Sequence, residues 1–384
     1  MFDHHDPKKA TSALCLLLGA CLLPAGCSLE AKMRLNELQV LGSHNSYHIE
    51  PEPELLAAIA SSDANAAASL EYTALPLVEQ LERGVRQLEL DLFADPEGGR
   101  YASRAGLLAL GRDPSSGLPE LDEPGLKVLH IQDLDFQTHC LTFLDCLEQI
   151  ASWSDDNPQH LPLLVMIEAK QDPIDDPLGL GFVTPLPFDA AALDGVDAEI
   201  RSRFAPERLI TPDDVRGDYS TLEAALLDRG WPTLIEARGR ILFALLDRGV
   251  ILDRYLAGHR SLEGRVMFAN SAPGRPEASF FNRDSALVDG DEIAALVRAG
   301  YLVRTRADID TLEARSGDIR LREAAFASGA QYVSTDYVVP DPDFVTGYSA
   351  AVPGGHVARC NPLTAPLGCN SGRLSELETW QPSR

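Results

Sequence analysis

Eight short apolar segments alternate with amphipathic, helix-like stretches along this chain, and this alternation constrains the fold more than any other feature. Each apolar segment has the length and composition of a β-strand. The segments lie at 39–46, 85–93, 126–130, 161–169, 239–247, 265–271, 300–308 and 330–338. Alternating strands and helices are typical of a parallel sheet, and eight units predict an α/β fold, a closed (β/α)8 TIM barrel. An open doubly wound sheet is the alternative, but no G-x-G-x-x-G follows the first strand.

The chain of 384 residues suits one barrel domain with additions at both ends. We predict a signal segment at 1–27, a catalytic barrel at 35–340 and a Pro/Gly-rich extension at 341–384. Residues 171–190 are rich in Pro, Gly and Asp and follow the fourth apolar segment. They are expected to form a loop beside the active-site face of the barrel.

The chain carries 33 basic and 58 acidic residues, a formal net charge of −25. Such an acidic protein should repel nucleic acid, because binding to phosphate backbones requires a basic surface. An anionic small substrate is compatible with this charge, since surface charges are screened within about 8 Å at physiological salt. The composition therefore argues against nucleic-acid binding and against a basic membrane patch, but not against a phosphodiester substrate.

The N-terminus predicts export. Lys8 and Lys9 precede an apolar stretch at 13–26, which is shorter than the roughly 20 residues needed to span a bilayer and is typical of a secretory signal. The sequence LPAGC resembles a bacterial lipobox, which would make Cys27 a lipidated N-terminus. LGAC at Cys21 is a competing match, and simple cleavage is a further alternative. The mature protein is expected to be either lipid-anchored in the cell envelope or secreted.

Four cysteines remain after the signal segment, and an even number in an exported protein predicts disulfides. The expected pairs are Cys140–Cys146 and Cys360–Cys369. A six-residue separation inside one helix would be too long to bridge, but Thr142-x-x-Asp145 is typical of a helix start and leaves Cys140 outside the helix. Buried free thiols are the alternative. Metal binding is less favoured, because no C-x-x-C pair or histidine partner accompanies these cysteines.

Polar residues stand at the ends of the first, second and fourth apolar segments, and parallel barrel strands end at one common face. The four candidate metal ligands are Asn45, Glu89, Asp91 and Glu168. Side chains alternate along a strand, so Glu89 and Asp91 point the same way. Carboxylate and amide oxygens suit Ca²⁺ or Mg²⁺ better than Zn²⁺, and three buried carboxylates would be costly without a cation. The alternative is that Glu89 and Glu168 pair with Lys170 or Arg306.

Two histidines, His44 and His130, end the first and third apolar segments beside the predicted metal site. A single histidine in a strand is more often a hydrogen-bonded core residue, but two at one site favour catalysis. One can act as general acid on a leaving oxygen while the other stabilises phosphoryl charge. Of the remaining histidines, His48 is nearest in sequence and is expected at the rim of the site.

These residues lie in motifs that resemble a known family. In order over residues 38–340, the motifs are LGSHNSYH, E-L-D, V-L-H, I-E-A-K, V-R-T-R-A-D and S-T-D-Y. They are similar to those of the bacterial calcium-dependent phosphatidylinositol-specific phospholipase C family, which belongs to the PLC-like TIM-barrel phosphodiesterases. The resemblance implies Ca²⁺ rather than Mg²⁺, held by Asn45, Glu89, Asp91 and Glu168. It also implies that His44 stabilises the transition state and that His130 protonates the departing diacylglycerol oxygen.

The same resemblance implies a phospholipid or phosphodiester substrate, with phosphatidylinositol first. The inositol 2-hydroxyl would attack phosphorus, giving a cyclic phosphate as the first product, with Glu89 or Glu168 as the base. The expected substrate-binding residues are Lys170, Arg306, Asp336 and Tyr337. Arg304 shares a face with Arg306 and is the weaker candidate. The protein is expected to be a monomer that acts at a membrane surface, where an N-terminal lipid at Cys27 would hold it.

A glycerophosphodiester phosphodiesterase is the main alternative, because such enzymes share the barrel, the metal and the two histidines. They typically show His-Arg-Gly after the first strand, where this chain has His44-Asn45-Ser46, and this difference favours the phospholipase. A sphingomyelinase-D-like lipase is a more distant alternative. The non-enzyme alternative, an exported lipid-anchored binding protein, is disfavoured because both histidines are present.

Overall fold

The computed structural model describes residues 32–374 and residue 376, and a parallel β-barrel forms its centre. The strands of this part of the chain are β1 Leu38–Ser43, β2 Gln87–Phe93, β3 Lys127–Val128, β4 Leu163–Ala169, β5 Ile241–Leu245, β6 Met267–Ala269, β7 Phe280–Ser285, β8 Leu302–Arg306, β9 Tyr332–Thr335 and β10 Ala358–Cys360. Around the barrel the order is β6-β5-β4-β2-β1-β9-β8-β7. A parallel bridge between Asn270 and Phe280 brings the two ends together, so the barrel is nearly closed. The predicted TIM-barrel fold is confirmed.

Helices surround the barrel and connect its strands. They are α1 Pro53–Ser62, α2 Ala64–Ser69, α3 Leu77–Glu82, α4 Phe143–Asp156, α5 Ala190–Arg203, α6 Pro212–Arg216, α7 Leu222–Asp228, α8 Leu234–Ala237, α9 Val250–Leu256, α10 Ala286–Arg298, α11 Leu312–Ser316 and α12 Arg320–Ala327. Their sequences explain their limits: Thr142 caps α4 by accepting from the Asp145 N–H, and Leu147 and Ile150 pack into the core. Within residues 32–374, no helix is long and apolar enough to cross a membrane.

One of the eight barrel positions differs from the prediction. The segment 126–130 is not a barrel strand: it contributes only β3, which pairs antiparallel with the end of β2. The physical reason is that β2 already lies between β1 and β4, so no barrel position is left beside it. Strand β7 takes the missing place. Its polar residues Asn282, Arg283 and Asp284 explain why no apolar segment marks it in the sequence.

Both predicted disulfides are confirmed, Cys140 with Cys146 and Cys360 with Cys369. Cys140 lies outside α4, because the Thr142 cap starts that helix two residues later. The chain can therefore curl back and bring the two Cα atoms to 5.3 Å, which a helical path between them would not allow.

The described part of the C-terminal extension packs on the barrel. Strand β10 pairs antiparallel with the first residues of β1, on the edge that β9 leaves open. Arg86 Nε donates to Glu376 Oε1 at 2.6 Å, which holds this residue of the extension against the start of β2. The predicted signal segment at 1–27, including the proposed lipidation at Cys27, lies outside the described residues.

Strand register positions the predicted ligands on one face. Asp91 on β2 lies directly beside Glu168 on β4, and Glu89, two residues earlier, shares that face. Beside them, Gly42 on β1 allows a close approach by Gln87, because a Cβ at Gly42 would lie 1.9 Å from Gln87 Oε1. The site is thus built at the carboxyl ends of closely packed strands, as in other barrels of this class.

Candidate active site

Three carboxylates converge at the mouth of the barrel. One oxygen each from Glu89, Asp91 and Glu168 lies within 4.8 Å of the others. Strands β2 and β4 fix their positions, and Glu89 and Asp91 are almost fully buried while Glu168 is partly exposed. The structure therefore brings these three predicted ligands together.

Two cations lie against this carboxylate cluster. Lys170 Nζ is 3.3 Å from Asp91 Oδ2 and 3.2 Å from Glu168 Oε1. Arg304 Nη2 donates to Glu89 Oε2 at 2.8 Å. Pairing with lysine and arginine is thus present, but full ionisation of the three carboxylates would bring one more negative charge than these two cations supply.

The pKa values of the cluster reflect this excess of acid. Burial raises the pKa of Glu89 to about 8, against the opposing effect of Arg304 and with a further contribution from Asp91. The charge of Asp91, and then burial, raises the pKa of Glu168. Both shifts disfavour the ionised carboxylates, and a cation bound among them would reverse this preference.

Asn45 lies in the turn that follows β1 and has a left-handed backbone conformation, with φ of 40°. Asparagine tolerates this conformation better than most residues. The turn is fixed on β2, because the Ser46 N–H donates to the Glu89 carbonyl at 3.0 Å and Ser46 Oγ accepts from the Glu89 N–H at 2.8 Å. Asn45 Nδ2 donates to Tyr72 Oη at 3.1 Å, so the amide oxygen is the end that points away from Tyr72.

The residues at this site fit a calcium ion. Asp91 is only 1% exposed, and among the described residues its carboxylate forms an ion pair with Lys170 but accepts no well-aligned hydrogen bond. Glu89 and Glu168 supply further carboxylate oxygens beside Asp91. Asn45 stays a predicted ligand. Hard divalent cations such as Ca²⁺ and Mg²⁺ prefer this kind of site.

His44 follows β1 directly. It is oriented by Asp336, which follows β9, and by Arg306 on β8. Its Nδ1 donates to Asp336 Oδ1 at 2.8 Å, and Asp336 Oδ2 accepts from Arg306 Nη2 at 2.8 Å. Burial, and then the charges of Arg306 and Arg304, lower the pKa of His44 well below its usual value, so the ring is neutral at pH 7. Asp336 therefore orients His44, and its proposed contact with substrate stays a prediction.

His130 lies in the loop after β3, and its Nδ1 donates to Asp135 Oδ2 at 2.7 Å. The same oxygen accepts from His48 Nε2, also at 2.7 Å. Burial alone would lower the pKa of His130, but the hydrogen bond and the charge of Asp135 raise it overall. His48, expected at the rim, is instead fully buried behind the site. A protonated imidazole with Nε2 left for substrate is suited to general acid catalysis.

A cavity of about 250 Å³ opens beside these groups. Its polar lining residues are His44, Glu89, Glu168, Asp247, Asn282, Asp284, Arg304 and Arg306. Of the predicted substrate-binding residues, Arg306 lines this cavity and Lys170 contacts Glu168 in its wall. Tyr337 lines a neighbouring cavity instead, and its ring packs against Tyr348. Its contact with substrate stays a prediction.

The sequence prediction missed three further residues of this site. Asp247 ends its strand segment as Glu168 does, so its position was an available signal, and burial raises its pKa to about 7. Asp135 lies in a polar loop five residues after His130. Tyr72 lies in the irregular stretch between α2 and α3, where nothing in the sequence points to the site.

Comparison with known proteins agrees with this geometry. The family model described as phosphoinositide phospholipase C, Ca²⁺-dependent, matches residues 33–362. No curated protein sequence matches the chain significantly.

Several solved structures share the fold. A Ca²⁺-dependent phosphatidylinositol-specific phospholipase C from Streptomyces antibioticus is 19% identical, with a TM-score of 0.52, over 82% of this chain and 98% of that one. A calcium-dependent phosphoinositol-specific phospholipase C from Pseudomonas sp. is 15% identical, with a TM-score of 0.53, over 86% and 96%. The same Pseudomonas enzyme, as a myo-inositol complex, covers 87% of this chain and 97% of its own at a TM-score of 0.52. The family match extends over most of the sequence, and the chain therefore belongs to the Ca²⁺-dependent phosphoinositide phospholipase C family of phosphodiester-cleaving enzymes.

Proposed function

We propose that this enzyme cleaves phosphatidylinositol, or a closely related phospholipid, into diacylglycerol and an inositol phosphate whose first form is cyclic. One observation carries the proposal: two histidines flank the carboxylate cluster, and each donates through Nδ1 to a buried carboxylate. His44 is held by Asp336 and His130 by Asp135. The Nε2 of His130 is left for substrate, while the Nε2 of His44 lies 3.4 Å from Arg306 Nη1 beside the cavity. Two oriented imidazoles beside a hard-cation site are the groups that metal-assisted phosphodiester cleavage needs.

His130 is assigned as the general acid. The hydrogen bond and the charge of Asp135 raise the pKa of His130 against the effect of burial, which favours the protonated ring that a general acid needs. The proton on Nε2 can then pass to the departing diacylglycerol oxygen. Asp135 keeps the ring in the orientation this transfer requires, because it holds the opposite nitrogen.

The phosphoryl oxygens are assigned to His44 and to the two arginines of the cavity wall. Arg304 and Arg306 both line the cavity, and their guanidinium groups place positive charge where phosphoryl oxygens would bind. The inositol 2-hydroxyl is expected to give its proton to Glu89 or Glu168, the two cluster carboxylates that line the cavity. When bound, Ca²⁺ would add positive charge for the phosphate and make the attacking hydroxyl more acidic.

The face of the barrel that holds the site suits contact with a lipid surface. Strongly exposed apolar side chains there are Leu178, Val250, Leu287, Val288, Leu312 and Val345. They lie in segments that leave the carboxyl ends of β4, β5, β7, β8 and β9, around the mouth of the barrel. We therefore propose that the mouth faces the membrane from which the lipid is drawn, and that export, with a lipid at Cys27 where that residue is modified, keeps the enzyme there.

Introducing negative charges into the apolar surface tests this orientation. The double variant Leu287→Asp/Val288→Asp should bind lipid vesicles about tenfold more weakly, because two apolar side chains leave the contact. Hydrolysis of a soluble short-chain lipid should change little. Ile235→Asp is the matched control, since this exposed residue lies on α8, before β5 and on the opposite end of the barrel. Equal vesicle binding by all three proteins would contradict the orientation.

The activity itself is tested by product analysis. Purified protein is incubated with phosphatidylinositol, phosphatidylcholine or glycerophosphoinositol, in Ca²⁺ or in chelator, and the products are identified by ³¹P NMR. We expect an inositol cyclic phosphate from phosphatidylinositol only in Ca²⁺. Glycerol phosphate from the soluble diester, with intact lipid, would identify a glycerophosphodiester phosphodiesterase instead. His130→Ala should abolish turnover while calcium binding, measured by calorimetry, survives.

A further inference from the structure

A continuous line of buried contacts runs from Asn45 to His130 behind the active site. Asn45 Nδ2 donates to Tyr72 Oη at 3.1 Å. The Tyr72 ring stacks on His48 with centroids 4.2 Å apart and an interplanar angle of 26°. His48 Nε2 donates to Asp135 Oδ2 at 2.7 Å, and His130 Nδ1 donates to that same oxygen at 2.7 Å. Tyr72, His48 and Asp135 are almost fully excluded from solvent.

The first contact in this line determines which end of the Asn45 amide is available to a cation. An amide has one donating and one accepting end, and a cation requires the oxygen. The hydroxyl of Tyr72 takes the donating end, so the oxygen is directed elsewhere. Tyr72 is itself fixed, because it belongs to a buried aromatic cluster with Tyr337 and Tyr348. Without this acceptor, the amide of Asn45 would be free to rotate and present its NH₂ group to the ion.

The second half of the line fixes the carboxylate that orients His130. Asp135 Oδ2 receives hydrogen bonds from two rings, and His48 is the one with no solvent exposure. The backbone of His48 is held from two sides. Its amide N–H donates to the Asn45 carbonyl at 2.9 Å, and the residue forms an antiparallel bridge with Thr138. His48 therefore ties the loop that carries Asp135 to the turn that carries Asn45.

We propose that Tyr72 and His48 are positioning residues that link the calcium-binding end of the site to its general acid. Tyr72 holds the oxygen of Asn45 toward the ion, and His48 holds Asp135, and through it His130. The proposal rests on the proposed function for the role of His130. The proposal assigns a different measurable effect to each residue: calcium affinity to Tyr72 and turnover to His48. A residue that only stabilised the fold would not produce these separate effects.

The role of Tyr72 is tested by calcium binding to Tyr72→Phe. Losing one hydrogen bond should weaken calcium binding, measured by calorimetry, by about 3- to 10-fold. Saturating Ca²⁺ should restore turnover, and the melting temperature in chelator should stay near that of wild type. Tyr348→Phe is the matched control, because it removes a buried hydroxyl from the same cluster that contacts Ala307 and Asp308 instead. Unchanged calcium affinity in Tyr72→Phe, or equal weakening in Tyr348→Phe, would overturn this assignment.

The role of His48 is tested by a pair of variants. His48→Phe keeps the ring stacked on Tyr72 but loses the donor to Asp135, so turnover at saturating Ca²⁺ should fall about tenfold while calcium affinity is unchanged. His48→Gln supplies an amide N–H near the position of Nε2 and should recover most of the turnover. Equal losses in both variants, or a matching loss of calcium affinity, would overturn the assignment.

A readout without substrate separates this proposal from the proposed function. Nitrogen-15 NMR of the histidine rings reports which nitrogen of His130 carries the hydrogen-bonded proton. In wild type and His48→Gln we expect the Nδ1–H of His130 in a strong hydrogen bond, and in His48→Phe a weakened one. These results, with the calcium titrations, support the linkage even if no phosphoinositide is cleaved. An identical His130 spectrum in wild type and His48→Phe would overturn it whatever the substrate.

Discussion

Arg304 donates from Nη2 to Glu89 Oε2 at 2.8 Å, and this contact joins β8 to β2 across the inside of the barrel. Both side chains are almost fully buried. Arg304 also donates to Ser334 Oγ at 2.8 Å and to Asn282 Oδ1 at 3.0 Å, so the guanidinium is anchored independently of the charge on Glu89. The carboxylate cluster therefore has a fixed positive neighbour.

Replacing Arg304 with Gln should lower the free energy of unfolding by about 3 kcal/mol, because breaking a buried ion pair leaves a charge without its partner. The cost is limited, since burial already raises the pKa of Glu89 to about 8 and the carboxyl can take up a proton. Added Ca²⁺ should stabilise this variant more than wild type, because the ion supplies the missing positive charge. Urea unfolding in chelator and in Ca²⁺ measures both effects.

Arg83→Gln is the control for Arg304→Gln, because Arg83 pairs with Glu79 on the exposed surface at the end of α3. Exposed pairs contribute at most about 1 kcal/mol, so Arg83→Gln should unfold nearly as wild type does in both buffers. If Arg304→Gln were as stable as Arg83→Gln in chelator, the buried pair would not have the role assigned to it.

Removing the first disulfide, by Cys140→Ser/Cys146→Ser, should reduce both stability and turnover. A cross-link of this short sequence separation stabilises by about 2 kcal/mol in the chain-entropy model. The bridge also closes the end of the loop that carries Asp135, so loosening it should lower turnover several-fold. Chemical denaturation and a steady-state assay in saturating Ca²⁺ measure the two effects.

Cys360→Ser/Cys369→Ser is the matched comparison. This bridge lies beside β10, next to the first residues of β1 and away from the mouth of the barrel. The loss of stability should be similar, but turnover should stay close to wild type. A comparable loss of turnover in both double variants would show that the first bridge has no special effect on the site.

The barrel could be predicted because strands buried on both faces read as continuous apolar segments. The spacing of Glu89 and Asp91 by two residues placed them on one face, and the register beside Glu168 agrees with that expectation. Strand β7 was missed because its residues Asn282 and Asp284 accept hydrogen bonds from Arg304 and line the cavity, so the second half of the strand is polar. An apolar pattern therefore marks only the first half of this strand.

The site was less predictable, since part of it comes from irregular segments. His44 and the cluster carboxylates stand at strand ends, where the fold alone brings them together. Asp135 and Tyr72 reach the site through loops whose course depends on tertiary contacts, such as the bridge between His48 and Thr138. No sequence period describes such a course, so the partners of the predicted residues were found only in the structure.

Gly42→Ala should destabilise the protein by about 2 kcal/mol, because it forces extra volume into a packed contact. The added Cβ would lie 1.9 Å from Gln87 Oε1 and 2.9 Å from Gln87 Cβ. Gln87 cannot withdraw freely, since its amide donates to the Ser43 carbonyl at 2.9 Å and accepts from Ser334. In a Gln87→Ala background the same substitution should cost much less, and a double-mutant cycle by urea unfolding measures this coupling.

Gly290→Ala is the control for Gly42→Ala. An added Cβ at Gly290, inside α10, meets no atom of the described residues within 4 Å. Alanine should therefore stabilise the helix by about 0.5–1 kcal/mol. Opposite signs at the two glycines are expected, and destabilisation of the same size at both would contradict the steric explanation for Gly42.

Stability should fall between pH 6.5 and pH 4 partly through His160. This ring is buried, with Nδ1 donating to the Leu161 carbonyl at 2.6 Å and Nε2 accepting from Ser154 Oγ at 2.7 Å. Burial lowers the pKa of His160 to about 4, against the opposing effect of the Leu161 carbonyl. Above pH 6.5 the ring is neutral in both the folded protein and the unfolded chain. Its full contribution to the free energy of unfolding is then present. As the pH falls below that value, the unfolded chain gains a proton that the folded ring does not accept, so stability is lost until about pH 4.

The contribution of His160 is isolated by comparing wild type with His160→Gln. A pKa of about 4 in the folded protein, against 6.5 in the unfolded chain, corresponds to about 3 kcal/mol, so the stability advantage of wild type should shrink by that order between pH 7 and pH 4. Urea unfolding at half-unit steps in pH measures the difference directly, and other titrating groups cancel because both proteins contain them. A constant difference between wild type and His160→Gln would mean that the buried ring has the same pKa in the folded protein as in the unfolded chain.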